Sequence, residues 1–252
     1  MQQWGINYWE TYASVVNWIS VQFLLILSQI AGLDTRAINF VLAFLQAKLD
    51  VPVYMYIPAG MQLSGILSES HQMYILKLEK SLYGLKQASA NWYDMLKKAL
   101  EDIQFCKSAA DPCVFIKKDM IVLVYVDDCI LLSTKDSIIN DFIKSLSTGP
   151  ENFIFANEGN LDRYIGAEVQ KLANKSSFEL TQPFLIERIL QAADIDTRIT
   201  NACPTPVVGP FLSKDTEGPS RKHDWKYHTL MSMLGYLQLH KLLIQKYQWP
   251  LI

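Results

Sequence analysis

The sequence predicts an α+β domain. Helical and strand-like segments alternate irregularly, and strands follow one another across short turns instead of through repeated strand–helix–strand units. Half of the 252 residues are hydrophobic, enough for a substantial core. In chain order, residues 11–31 carry the Val, Ile and Leu of a core-facing helix that stops near Gly32. Residues 36–43 have the β-branched and aromatic content of a buried strand, and 51–57 (Val-Pro-Val-Tyr-Met-Tyr-Ile) read as extended. Gly60 and Gly65 punctuate a loop, 73–78 form a strand, 81–85 a turn and 89–103 a helix. Residues 135–146 read as a helix, 163–171 and 177–180 as a strand pair, and 183–193 as a helix with Pro183 at its N-terminus. Residues 203–220 are rich in Pro, Gly, Ser and Thr and read as linker, and 227–247 look helical.

Between the central helices lies Tyr125-Val126-Asp127-Asp128, flanked by the apolar runs Met120-Ile121-Val122-Leu123-Val124 and Cys129-Ile130-Leu131-Leu132. The pattern predicts a β-hairpin with two adjacent carboxylates at its tip. Neighbouring side chains of a strand point to opposite faces, so both carboxylates reach one site only if the chain turns there. Paired carboxylates on a rigid hairpin suit a hard, oxygen-seeking cation such as Mg²⁺. A solvated Asp-Asp turn between ordinary strands is the other reading of the same residues.

Composition narrows the field. The net charge of −2 does not announce a nucleic-acid binder, although a local basic groove remains compatible with it. Cys106, Cys113, Cys129 and Cys203 include no C-x-x-C pair, which argues against a zinc site or disulfide framework and for a reducing compartment. The N-terminus lacks the basic region of a signal peptide. Residues 15–33 are apolar but interrupted by Asn17, Ser20, Gln22, Ser28 and Gln29, so a membrane span is not expected. His223, His228 and His240 show no metal-ligand spacing and read as ordinary loop or surface residues.

Several segments, in order, resemble the reverse transcriptase domain of copia-type LTR retrotransposons. Glu10-Thr11-Tyr12-Ala13-Ser14-Val15-Val16 is similar to the family's "ETYAPVV" opening, with Ser14 where Pro is usual. Val53-Tyr54-Met55 through Pro58-Ala59-Gly60-Met61 is similar to "VYM…P.GF". Leu78-Glu79-Lys80-Ser81-Leu82-Tyr83-Gly84-Leu85-Lys86-Gln87-Ala88, followed by Trp92-Tyr93, is close to "L.KSLYGLKQAPRQWY". Asp111-Pro112-Cys113-Val114-Phe115, the Tyr-Val-Asp-Asp core, Ile165-Gly166-Ala167-Glu168-Val169 ("LGIEV") and Pro204-Thr205-Pro206 ("TP") complete the series. The resemblance covers roughly residues 8–237.

It implies a polymerase-like palm with partial fingers and the start of a thumb. The expected boundaries are 1–200 for the reverse transcriptase-like domain, 201–226 for a linker and 227–252 for a divergent helical tail. The implied activity is RNA-directed DNA polymerisation: in-line nucleotidyl transfer of dNTPs onto a DNA primer paired with an RNA template, assisted by two Mg²⁺ ions. Asp127 and Asp128 match two of the metal-binding carboxylates, and Tyr125 the residue near the primer end. The third carboxylate belongs to a motif of the form "D-(F/V)-x-x-A-(F/Y)", which here reads Asn39-Phe40-Val41-Leu42-Ala43-Phe44. Asp50 precedes Pro52 and has no Ala-Phe at the right distance. Asp34 lies five residues early, in the expected turn before the strand.

Asn39 offers one neutral carbonyl oxygen and no charge, so it cannot bridge two cations. Losing one transition-state electrostatic contact costs about 3–4 kcal/mol, roughly 10²–10³-fold in rate. Impaired Mg²⁺ binding and catalysis are therefore expected.

Phe44 matches the aromatic that excludes the sugar 2′-hydroxyl, although core packing explains it too. Tyr83, Gly84 and Lys86 match the loop that contacts template and nucleotide; a turn glycine and a solvated lysine are the alternatives for the last two. Between Lys77 and Lys98, five lysines face Glu79 and Asp94, a net of +3, which with Trp92 and Tyr93 makes either a backbone-facing patch or a solvated helix face.

The family's basic N-terminal finger segment is expected to be missing ahead of the "ETYAPVV"-like opening. The family's "TRPDI" continuation is replaced by residues 238–252, and no RNase H, integrase or protease segment is expected. The family implies a cytoplasmic virus-like particle and no membrane. Two rivals stay open: a non-catalytic retroelement remnant that at most binds nucleic acid, and an unrelated small α+β binding protein.

Overall fold

The computed structural model describes residues 2–58, 60–61, 74–164, 166–171, 178–195 and 226–241. The chain divides into two compact units, 1–165 and 166–252. The expected α+β mixture is present in the described residues.

Unit one is built on a six-stranded sheet of order β4-β5-β6-β7-β1-β8, comprising β4 (Cys106–Lys107), β5 (Val114–Lys117), β6 (Met120–Tyr125), β7 (Asp128–Ser133), β1 (Asp34–Phe40) and β8 (Phe155–Gly159). Every neighbouring pair is antiparallel. The helices are α1 (Trp18–Ile30), α2 (Ala43–Gln46), α3 (Ala88–Asp102) and α4 (Asp136–Thr148). A separate antiparallel ribbon pairs β2 (Lys48–Tyr56) with β3 (Ile75–Lys80). Its register is irregular between Lys48 and Val53, where Pro52 has no N–H to donate. A short β9 (Arg163–Tyr164) closes the unit.

Register explains the apolar runs. Val124 pairs with Cys129 and Val122 with Leu131, and Ile38 of β1 pairs with Cys129, so these side chains share one face. They meet Trp92, Leu96 and Leu100 of α3 and Ile139, Phe142 and Leu146 of α4 in one buried cluster. Leu123, Ile130, Leu132, Val114 and Ala37, on the opposite face, are buried as well. Burial on both faces leaves no polar alternation in β6 and β7, and each buried Leu, Ile or Val stabilises by about 1.5–3 kcal/mol. Phe40 sits at the centre of an aromatic group, edge-on to Trp92 at 5.0 Å, Phe153 at 5.4 Å and Phe155 at 5.7 Å. Such contacts add about 0.5–1.5 kcal/mol each beyond burial.

Several boundaries differ from the sequence expectation. The first helix begins at Trp18, because Asn17 is extended and its side chain caps Ile19 N–H at 3.0 Å. Asn17 N–H is itself held by the buried carboxylate of Asp111 at 2.9 Å, whose other oxygen accepts Cys113 N–H at 2.9 Å. The first strand stops at Phe40, since Leu42 takes a left-handed conformation (φ 50°) that starts α2. Asp34 opens β1 opposite Ser133 instead of lying in a turn. Strands β4, β5 and β8 were not expected from the sequence.

In unit two, β10 (Ala167–Lys171) pairs antiparallel with β11 (Phe178–Thr181), as expected. Helices α5 (Pro183–Ala192) and α6 (Tyr227–Lys241) pack on each other. Gly65, Cys203, His223 and the linker expected at 203–220 lie outside the described residues. No helix among the described residues is long and apolar enough to cross a membrane.

Candidate active site at the Asp-Asp hairpin

Strands β6 and β7 form the expected hairpin, closed by the pair Tyr125–Asp128 around the two-residue turn Val126-Asp127. Val126 has φ 55°, whereas Asp127 is not among the positive-φ residues; positive φ at the first central residue alone is the II′ pattern of tight hairpins. A β-branched residue in that region is strained by about 1–3 kcal/mol and persists only when its surroundings over-determine it. Two bonds do so here. Trp92 Nε1 donates to Val126 O at 2.6 Å, and Phe40 N–H donates to Asp127 O at 2.7 Å.

The second carboxylate meets β1. Asn39 and Asp128 are direct register partners, and Asn39 Nδ2 donates to Asp128 Oδ1 at 2.5 Å. Burial pushes the Asp128 carboxyl above its ordinary value, the Asn39 hydrogen bond pulls it down, and the neighbouring Asp127 charge raises it further. Asp127, Asp128 and Tyr125 are all half-buried. Behind the tip, burial drives the Cys129 thiol well up, while burial and the adjacent Asp111 raise Cys113 to about 12, so neither is a thiolate nucleophile at neutral pH.

The donor set does not fit a two-cation centre. Such a centre needs charged oxygens that two ions can share. Among the described residues no group of three or more His, Cys, Asp or Glu could hold a metal ion, and Asn39 turns N–H donors toward Asp128. Asp50 is on β2, accepting from Asn91 at 3.2 Å, and takes no part in the hairpin site.

The remaining candidates fall into two places. Phe44, on α2, is half-buried against the core, and its ring lies 4.8 Å from that of exposed Tyr83. Gly84 follows in a turn at φ 96°, a conformation that requires glycine, with open space where a Cβ would stand. Lys86 N–H is fixed by Gln2 Oε1 at 2.8 Å, and its side chain is exposed. The lysines of 77–98 are spread over β3, the turn and α3. Lys77 pairs with Glu79 at 3.8 Å.

A groove of about 410 Å³ runs beside the hairpin, lined among others by Tyr12, Ser14, Ser89, Trp92, Tyr93 and Val126. The sequence reading missed this role for residues 11–15 and Ser89. It also missed Gln46, whose side chain donates to Val41 O at 2.8 Å and Ile154 O at 2.7 Å and accepts Ile154 N–H at 3.0 Å, tying the end of β1 to the chain before β8. Only the motif resemblance of the 10–16 segment hinted at the groove wall.

An antiparallel sheet backed by helices, with adjacent carboxylates on a tight hairpin and an aromatic groove alongside, defines a mixed helix-and-sheet domain with an acidic hairpin tip. The family model described as "Reverse transcriptase (RNA-dependent DNA polymerase)" matches residues 1–209. This chain belongs to that family. It is 30% identical over 221 residues to the retrovirus-related Pol polyprotein from transposon TNT 1-94 of Nicotiana tabacum, covering 84% of this chain and 16% of that protein. It is 27% identical over 243 residues to the Pol polyprotein from transposon RE1 of Arabidopsis thaliana, again 16% of the longer protein. A putative transposon Ty5-1 protein of Saccharomyces cerevisiae is 24% identical over 197 residues, 76% of this chain and 60% of that protein. No solved structure matches the chain at a significant level.

Proposed function

We propose that this chain is the palm and part of the fingers of a copia-type retrotransposon RNA-directed DNA polymerase whose nucleotidyl-transfer step is strongly depressed. The observation that carries this reading is the hairpin itself. Asp127 and Asp128 stand together at its tip, where this reading puts the metal-binding carboxylates, and the strand partner that would bring a third charge is Asn39. The groove along Tyr12, Ser14, Ser89 and Tyr93 would take the template strand by stacking and hydroxyl contacts. Phe44, braced by Tyr83, would exclude the 2′-hydroxyl of the incoming nucleotide. Lys86 would meet a phosphate. Mg²⁺ binding at the hairpin is expected to be weaker than at three carboxylates.

Primer extension on an RNA template tests the reading. Asn39→Asp is expected to raise the single-turnover rate about 10²–10³-fold over wild type, the size of one lost transition-state contact. Equal rates in the two proteins would sink the assigned role of Asn39. The second reading, a non-catalytic remnant, is favoured by the same Asn39; it predicts retained binding of an RNA–DNA hybrid with no extension by either protein.

A further inference from the structure

We infer that the Asp-Asp hairpin of this chain has become a hydrogen-bonded joint between β1 and β7 that folds and stays folded without divalent cations, the Asn39 amide standing where a shared cation would otherwise neutralise Asp128. The inference rests on reading this hairpin as the polymerase site, and it concerns what holds that site together. Asn39 lies on an interior strand, registered against Asp128 of β7 on one side and Ala156 of β8 on the other, so its backbone is fixed. An ionised carboxylate only accepts hydrogen bonds, so the Asn39 side chain must present Nδ2, and its carbonyl oxygen is turned from that contact. The arrangement uses one Asp128 oxygen on a neutral donor and adds no second charge from position 39 to that of Asp127. With Asp at position 39 the same register would set two carboxylates face to face in a half-buried site. Their repulsion would be relieved by a bound cation or by a proton taken up on one of the two.

Asp127, at the turn with its backbone carbonyl used by Phe40 N–H, and the second oxygen of Asp128 are the carboxylate oxygens left at the hairpin. Two neighbouring carboxylates, one of them already held by an amide and with no third charge from β1, make a weak cation site. The hairpin's geometry is meanwhile secured by groups that owe nothing to metal: the Trp92 indole on Val126 O, Phe40 N–H on Asp127 O, and the Asn39–Asp128 bond.

The test is thermal unfolding and Mn²⁺ binding by electron paramagnetic resonance, on the full chain without nucleic acid. The wild-type melting temperature is expected to agree within about 1 °C between EDTA and saturating Mg²⁺ or Mn²⁺. Asn39→Asp is expected to melt lower in EDTA and to rise by about 5–10 °C at Mn²⁺ near a hundred times its Kd. Its Mn²⁺ affinity should exceed the wild type's at least about tenfold. Asn39→Ala removes the donor without adding charge and should melt about 4–8 °C lower with or without metal. If Asn39→Asp does not fold in EDTA but folds with Mn²⁺, the joint is supported. A wild-type melting temperature that climbs with Mn²⁺, or an Asp128→Asn change that weakens wild-type Mn²⁺ binding about tenfold, overturns it. An Asn39→Asp protein that gains Mn²⁺ but extends no primer overturns the polymerase reading alone and supports the joint.

Discussion

Asp128 is the carboxyl, among the described residues, whose ionisation the fold opposes. Half-burial is the leading cause, outweighing the hydrogen bond from Asn39, and Asp127 adds a like charge. The sign of the consequence follows from linkage. A carboxyl whose folded value lies above its ordinary 3.8 holds its proton more tightly when folded. Its contribution to stability is therefore fully present below pH 3.8 and is lost as pH rises through the folded value. Asp128→Asn, which keeps the shape and removes the charge, should be more stable relative to wild type at pH 7 than at pH 4. Urea midpoints of the two proteins across that range measure the difference, and a gap that widened toward acid would reverse the assignment. The position was legible in the sequence from two adjacent acids between apolar runs. Its partner was legible only through the resemblance, because nothing local to Asn39 says that it faces position 128.

The hairpin is an element held from outside itself. Val126 is strained at φ 55°, and the bond that reaches it comes from α3, 34 residues earlier in the chain. Trp92 also packs on Phe40 at 5.0 Å and Phe153 at 5.8 Å. Trp92→Phe separates the two roles: a phenyl ring keeps much of the packing and deletes the indole donor. The expected cost is about 1–2 kcal/mol, the penalty of leaving a part-buried carbonyl unpaired, read as a lower denaturant midpoint with an unchanged m-value. No change in midpoint would show that the strut does not support the turn. The element boundaries teach the same point. The runs at 120–124 and 129–132 gave the hairpin because its turn is two residues long and its strands are buried throughout. The start of α1 was misplaced because the apolar run continues ahead of the Asn17 cap, and the end of β1 because a left-handed Leu42 has no propensity signature. Strands β4 and β5 are short, β5 pairing with β6 and β4 only with β5, so periodicity could not reveal them.

At the scale of the molecule, the net charge of −2 and the groove must be reconciled with nucleic-acid binding. Bulk attraction is absent, so affinity has to come from local lysines and from stacking, and these respond differently to salt. Each phosphate neutralised contributes a slope of about −0.9 in log K against log salt on duplex nucleic acid. Of the five lysines between 77 and 98, Lys77 is engaged by Glu79. A slope of about −2 to −4 is therefore expected for an RNA–DNA hybrid, measured by fluorescence anisotropy. The groove wall offers a second handle on the same binding. Residues 11–15 line it, and the chain just beyond them is pinned where the buried Asp111 accepts Asn17 N–H and Cys113 N–H. Asp111→Asn leaves one acceptor oxygen for two donors, which should lower stability by about 1–3 kcal/mol and release the wall. Affinity should then fall severalfold while the salt slope stays the same, since no lysine has moved. If instead the slope falls with Asp111→Asn and affinity does not, nucleic acid is held by the lysine-bearing segments alone and the groove beside the hairpin is not its track.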